Sequence, residues 1–290
     1  MTLNKSEVFI MGVKMIVVDM DGTFLDQNNQ YNQARFARVF QALQARQVKF
    51  VVASGSQYQR LQNQFDPYRQ SLDFISQNGA IVHHGDDLLR VDALADDDLQ
   101  ALLALIAKGF PAGTIVQKTI SGLAQTYVPR QASPETLAII KQYYHAVTLV
   151  DHFDQLTGRS VNDQITKVGI TFGPDVDYSQ AVQQLRGSLP AGLMSQNSGF
   201  QTELIGNVGV DKVSCLRQLQ TRYQIADDEL MTFGDNENDL GMLTMTPWGF
   251  AMPNAYESIK KQSANIALAD HNHDGVLTTI EHYLKEGVIG

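Results

Sequence analysis

"MIVVDMDGTFLDQ" occupies residues 15–27. Its four leading apolar residues run into Asp19, with Asp21 two positions on and Asp26 behind. An unbroken apolar run is the pattern of a strand buried on both faces of a parallel sheet. In such a sheet ligands bind beyond the carboxyl ends of the strands. The stretch therefore predicts a buried strand that delivers mutually repelling carboxylates to a ligand-binding rim.

The same rhythm extends outward. Residues 32–46 set Phe36, Val39, Phe40 and Leu43 at helical spacing, "VKFVVASG" (48–55) is a second buried strand, and "DFISQNGA" (73–80) a third. From residue 211 come a helix with Val213, Leu216 and Leu219, strand "LMTFGD" (230–235) and a short helix through "LGML". Strand "WGFAM" (248–252) and helices over 254–262 and 275–285 complete the series. Strand–helix alternation predicts an α/β fold with a doubly wound, Rossmann-like parallel-sheet core.

The block 84–205 differs. "DDDLQALLALIAKG" and "SPETLAIIKQYYHAV" read as amphipathic helices, and "TIVQK", "LAQTYV", "ITKVGITF" and "GFQTELI" as strands. It is expected to be an inserted α+β domain, leaving 1–83 and 206–290 as a discontinuous core domain.

Composition sets limits. The chain has 290 residues, 43% hydrophobic and 18% charged, a globular balance with room for about two domains. No apolar run approaches the roughly 20 residues of a membrane span. A net charge of −9 argues against a nucleic-acid or anionic-membrane surface, which needs clustered Lys and Arg. The single cysteine, Cys215, has no internal partner and is expected to pack in the interior. "MTLNKSEVFIMGVK" lacks a leader pattern, Met11 offers an alternative start, and a cytoplasmic location is expected.

Asp19, Ser54 and Asp235 each close a predicted strand, so the fold brings them to one rim. Crowded carboxylates there suit a hard cation such as Mg2+, which takes oxygen ligands and offsets their repulsion.

At these positions the chain resembles the haloacid dehalogenase superfamily of phosphohydrolases. "DMDGTFLD" is similar to its DxDGTLLD signature, "VVASG" to its second motif, Lys212 in "GVDKVSCLRQL" to its third, and "FGDNENDLGML" to its GDxxND fourth. The insertion resembles the C2 cap of the Cof-type branch, as do "ISQNGA", "ELIGNVGVDK", "AMPNA" and "DGV". The resemblance implies a Mg2+-dependent phosphatase of small phosphorylated metabolites, either sugar or cofactor phosphates, working through an aspartyl phosphate. It implies no nucleic-acid, membrane or protein partner. Asp19 is the expected nucleophile and Asp21 the general acid/base, with Asp19, Asp21 (through its carbonyl) and Asp235 on the metal. Ser54 and the Gly55 N–H are expected on the phosphoryl oxygens, with Asn238 also on phosphate and Asn78, beside Gly79, near the substrate. Lys212 is expected to pair with Asp19 and the phosphate, and Asp239 to orient Lys212 or metal-bound water. Lys167 is a rival to Lys212, and Glu237 reads as a solvated loop acid. Asn254 reads as the N-cap of the following helix or a support for the fourth-motif loop. Two departures stand out: Ser56 where many relatives carry Arg, and Phe24 for the usual Leu.

Other readings compete. "DHNHDGVLTTIE" (270–281) satisfies the calcium-loop pattern with Asp270, Asn272, Asp274, Gly275 and Glu281, but "ANIALA" before it does not read as the required incoming helix. An acid-capped start to the last core helix, burying Val276, Leu277, Ile280 and Leu284, is the preferred account. His83, His84, His271 and His273 lack cysteine partners and helical i,i+4 spacing, so surface positions are expected rather than zinc. A phospho-acceptor signalling domain is about half this length with its acid on a later strand. Phosphomutase chemistry shares the same four motifs.

Overall fold

The computed structural model describes residues 12–199 and 201–290. The leader and alternative-start readings before residue 12, and Phe200 of the predicted strand "GFQTELI", lie outside the described residues. The chain begins β1 (Met15–Val18), α1 (Gln33–Ala45), β2 (Lys49–Ala53), α2 (Tyr58–Gln64), β3 (Asp73–Ser76), β4 (Ile81–His84) and β5 (Asp87–Val91). It continues α3 (Asp96–Gly109), β6 (Ile115–Gly122), β7 (Thr126–Pro129), α4 (Pro134–Tyr143), β8 (Val147–Val150), α5 (Gly158–Val161), β9 (Ile165–Phe172), α6 (Tyr178–Ser188), β10 (Leu193–Asn197) and β11 (Thr202–Asn207). It ends α7 (Lys212–Tyr223), β12 (Leu230–Gly234), α8 (Leu240–Thr244), β13 (Trp248–Ala251), α9 (Glu257–Lys260), β14 (Asn265–Ile266) and α10 (Gly275–Lys285).

Two compact units divide these elements. The first holds residues 12–51, Gln220–Asp235 and Met242–Gly290. Its strands run in the order β14-β13-β12-β1-β2. β14, β13, β12 and β1 are successively parallel, with Met15 beside Leu230 and Val18 beside Phe233. All four β1 side chains are buried, as the apolar run predicts. The chain leaves β1 toward β2 and later returns to β12 on the opposite edge. β1 and β12 thus flank a topological switch, where open α/β sheets bind ligands. α1 is capped by Asn32, whose side chain accepts the Arg35 N–H, and buries Phe36, Val39, Phe40 and Leu43. Phe24 takes its place in this core, with ring centroids 5.6 Å from Phe36 and 6.0 Å from Phe50. The departure at that position therefore fastens the loop after β1 to α1 by edge-on aromatic packing.

The second unit comprises Val52–Leu219 and Asn236–Gly241. Here β3, β4 and β5 form an antiparallel series. A six-stranded sheet follows in the order β10-β11-β9-β6-β7-β8, antiparallel except for β7 with β8. Leu99, Leu102, Leu103 and Ile106 of α3 and Leu185 of α6 pack with Ile120, Val168, Ile170 and Ile205 of that sheet. This core belongs to the segment between Leu94 and Ile205.

Several elements differ from expectation. Residues 133–147 do not stay helical: α4 stops at Tyr143, Tyr144 turns extended (φ −125°), and Val147–Val150 forms β8. The β-branched residues of "VTLV" favour the strand. The β4–β5 pair, α6 and β10 have no counterpart in the sequence reading. α9 covers only Glu257–Lys260 of the predicted 254–262 helix. α10 matches its predicted span, and Asp274 stands at its N-cap position, but its carboxylate makes no capping bond and binds Arg35 and Asn32 instead.

Candidate active site

In the first unit, the Asp19 N–H donates to Phe233 O at 3.0 Å, so the end of β1 is held against β12. Asp19 is 6% exposed and Asp235 half-buried. Each offers a carboxylate oxygen within 4.8 Å of the other. Two acids so close at a strand rim form a donor set for a divalent cation. The loop between them is shaped around the same contact. Gly22 has φ +82°, and a Cβ there would stand 2.6 Å from Asp235 Oδ2. The Thr23 hydroxyl donates to Asp235 Oδ1 at 3.1 Å. Thr23, Phe24 and Leu25 N–H groups all point at Met20 O, between 2.9 and 3.2 Å. Asp21, half-buried, lies at the head of this turn and bridges to Leu25. Asn254 corrects both of its expected roles: α9 is capped from Tyr256, and Asn254 Nδ2 donates to Gly22 O at 2.8 Å, supporting the first-motif loop.

In the second unit, Ser54 follows β2 and its N–H donates to Ile75 O at 2.8 Å. Its hydroxyl oxygen accepts the Ser56 N–H at 3.0 Å, which leaves the hydroxyl proton to be donated elsewhere. Ser54 O accepts the Asn78 N–H at 3.0 Å. Asn78 sits at φ 52°, 1% exposed, and its Oδ1 accepts from Asn238 Nδ2 at 3.0 Å. A Cβ on Gly55 would come within 3.3 Å of Asn78 Oδ1 and 2.7 Å of Ser198 Oγ, so a larger residue there would push the Ser198 hydroxyl aside. Ser54, Gly55, Asn78 and Asn238 are thus brought together, although 160 residues separate Asn78 from Asn238. The Asn78 Nδ2 donor is buried and has no hydrogen-bond partner, the condition of a group built to receive a ligand oxygen.

Lys212 opens α7 and donates to Asp239 Oδ1 at 2.6 Å, both side chains wholly buried. Asp239 Oδ2 accepts the Asn236 N–H at 3.1 Å, closing the turn that presents Asn238. Lys167 lies instead within β9, where burial pulls its pKa down to about 8. Cys215 packs in the interior as expected; its Sγ contacts Gly79 O at 3.0 Å and burial raises its pKa to about 11.

Two further expectations, for Glu237 and His83, are corrected. Glu237 is exposed but not merely solvated, since Arg186 grips both its oxygens. His83 is buried rather than superficial, stacked on Tyr58 at 3.7 Å. No histidine belongs to a group of three or more potential metal ligands among the described residues. In the calcium-loop candidate, Arg35 holds Asp274 at 3.2 Å and Glu281 at 2.8 Å, and the segment ahead is the two-residue β14 rather than a helix. Sequence reasoning also missed Arg60. It is 2% exposed, and its Nη1 donates to Ser56 Oγ at 2.6 Å, so a guanidinium reaches the second motif from α2. The i,i+4 spacing of Ser56 and Arg60 was the available signal.

Comparisons with known proteins identify relatives along most of the chain. The haloacid dehalogenase-like hydrolase family model matches residues 16–280. The 5-amino-6-(5-phospho-D-ribitylamino)uracil phosphatase YbjI of Escherichia coli (strain K12) is 30% identical over 278 residues, spanning 95% of this chain and 97% of that protein. The crystal structure of SMU.1108c from Streptococcus mutans UA159 superposes with a TM-score of 0.87 at 28% identity, over 94% of this chain and 99% of that one. The subclass IIB sugar phosphatase BT4131, 18% identical, shares the fold with a TM-score of 0.75 over 96% and 100% of the two chains. The chain belongs to the haloacid dehalogenase-like hydrolase family and is one of its phosphatases.

Proposed function

We propose that this protein is a Mg2+-dependent phosphatase of small phosphorylated metabolites in which Asp19 accepts the phosphoryl group. The observation that carries the reading is the pair Asp19–Asp235, two strand-end carboxylates within 4.8 Å of each other. The ion, when bound, supplies positive charge that lets the anionic phosphate approach the Asp19 carboxylate. Asp19, the Asp21 carbonyl and Asp235 are the residues that would hold it. An Asp19 oxygen attacks phosphorus, the ester P–O bond breaks, and Asp21 gives its proton to the leaving oxygen. Asp21 then takes a proton from water as that water attacks phosphorus, and the Asp19 O–P bond breaks to release inorganic phosphate and the free carboxylate. The Ser54 hydroxyl, the Gly55 N–H and Asn238 donate hydrogen bonds to the phosphoryl oxygens and the Lys212 ammonium offsets their charge, and Asn78 Nδ2 meets a substrate oxygen. Asp235 and Asn238 stand three residues apart in one loop, which supports their joint action.

The segment 84–205 is read as the cap and 1–83 with 206–290 as the core domain; the separate hydrophobic core between Leu94 and Ile205 supports this division. Among the described residues no helix is long and apolar enough to cross a membrane. YbjI and its Bacillus subtilis counterpart YitU are named for a phospho-ribitylamino-uracil substrate, which puts sugar-alcohol phosphates first among the candidates. The test is a panel of phosphorylated metabolites assayed with Mg2+ for both released phosphate and rearranged ester. Free phosphate from a phospho-ribityl or sugar phosphate supports the reading. An isomerised ester without release would favour a mutase.

A further inference from the structure

Glu237 is the exposed acid of the loop "GDNEND", yet its carboxylate is held from two sides. Arg186 Nη1 donates to Oε1 and Nη2 to Oε2, both at 2.9 Å, and the Asn197 N–H reaches Oε2 at 3.3 Å. Arg186 belongs to α6, and its other edge is already fixed. Nε donates to Glu203 Oε2 at 3.2 Å, and Nη2 to Oε1 at 3.2 Å and Oε2 at 3.1 Å. Glu203 is wholly buried and also receives the Ser195 and Tyr178 hydroxyls, each at 2.6 Å. An exposed ion pair contributes little when both long side chains must be ordered to make it. Here the guanidinium is ordered by a buried carboxylate first, so its fork is presented to Glu237 ready-made.

What Glu237 is joined to gives the pair its consequence. Residues Glu237–Asp239 form a single turn in which Asn236 Oδ1 accepts the Glu237 N–H at 2.8 Å. The next two side chains are Asn238, bonded to Asn78, and Asp239, bonded to Lys212. Fixing one corner of so short a turn fixes the others.

We infer that Arg186 is a positioning residue: by gripping Glu237 it sets the loop that carries Asn238 and Asp239, and so couples that loop to the seating of the α6–β10–β11 segment. This rests on the phosphatase reading for its catalytic consequence, though not for its structural one. Phosphate bound by the loop then favours the seated arrangement of both, because loop and segment share one linked arrangement.

Glu237→Gln is the variant of choice, since it removes the charge, keeps the size and leaves Arg186 with Glu203. Three readouts separate positioning from general stability. Hydrogen exchange of amides 236–241 is expected to speed up in the variant while the melting temperature stays within about 2 °C of wild type. For a phosphorylated metabolite that the wild type hydrolyses, KM is expected to rise about five- to tenfold with a smaller change in kcat, and Glu237→Asp to recover part of the loss. The wild-type KM is expected to climb with NaCl and the Glu237→Gln value to stay flatter. Unchanged exchange in 236–241 together with wild-type KM and salt response overturns the inference. A wild type that hydrolyses no phosphomonoester, with exchange still responding to Glu237→Gln, defeats the phosphatase reading and leaves the positioning role standing.

Discussion

Lys212 Nζ and Asp239 Oδ1 lie 2.6 Å apart with neither side chain exposed, although the two residues are 27 positions apart in the chain. Removing one partner of a buried pair costs about 3–5 kcal/mol, because the remaining charge stays desolvated. Asp239→Asn is expected to destabilise by that order in urea titration, as is Lys212→Met. The double variant should cost less than the sum of the two, because neither charge is then left behind. Additive losses would contradict a direct pairing. All three variants are expected to lose most phosphatase activity.

Gly22 sets a second expectation. A methyl group there meets Asp235 Oδ2 at 2.6 Å, on a backbone at φ +82° that alanine adopts at a cost of about 1–2 kcal/mol. Gly22→Ala should fold, but need several-fold more Mg2+ for half-maximal activity. EDTA should silence the wild type and Mg2+ restore it, while Ca2+ alone should not. An unchanged Mg2+ requirement in Gly22→Ala would separate Asp235 from the metal.

Asp274 provides a negative control. Its carboxylate bonds to Arg35 and Asn32, and its φ of 52° is a conformation that asparagine tolerates well. Asp274→Asn is expected to shift stability by less than about 1 kcal/mol and to leave activity intact. Calorimetry of the wild type should show no calcium-specific binding at 270–281. A severe activity loss would revive the calcium reading.

How much of this was legible beforehand depends on distance along the chain. The β1 run, the α10 span and the strand-end acids are local patterns, and periodicity alone exposes them. Lys212 and Asp239 carry motif spacing. The grip of Arg186 on Glu237 joins residues 51 apart, and Asn254 reaches Gly22 across 232. No local propensity encodes such pairs, so an exposed acid and a presumed helix cap were the natural readings of Glu237 and Asn254. The strand β8 was hidden because "YYHAV" continues the helical spacing of α4 until the β-branched run takes over.

His83 gives a pH dependence with a definite sign. Burial against the Tyr58 ring holds its pKa down to about 4, below the ordinary 6.5. Between those values the unfolded chain binds the proton more readily than the folded one. Its contribution to stability is therefore complete above pH 6.5 and lost as pH falls toward 4. The melting temperature should decline over that window, and His83→Phe, which keeps the ring stacking, should flatten the decline. An equally steep curve in the variant would remove His83 from the account.

The central claim is that Asp19 carries the phosphoryl group. Acid-quenched single turnover with a substrate bearing radiolabelled phosphate, followed by trypsin digestion, measures this directly. The account predicts transient label on the peptide Met15–Arg35, absent in Asp19→Asn, which should also lose about a thousandfold or more in turnover. Phosphate release with no label on that peptide at any time, or label retained in Asp19→Asn, would contradict it.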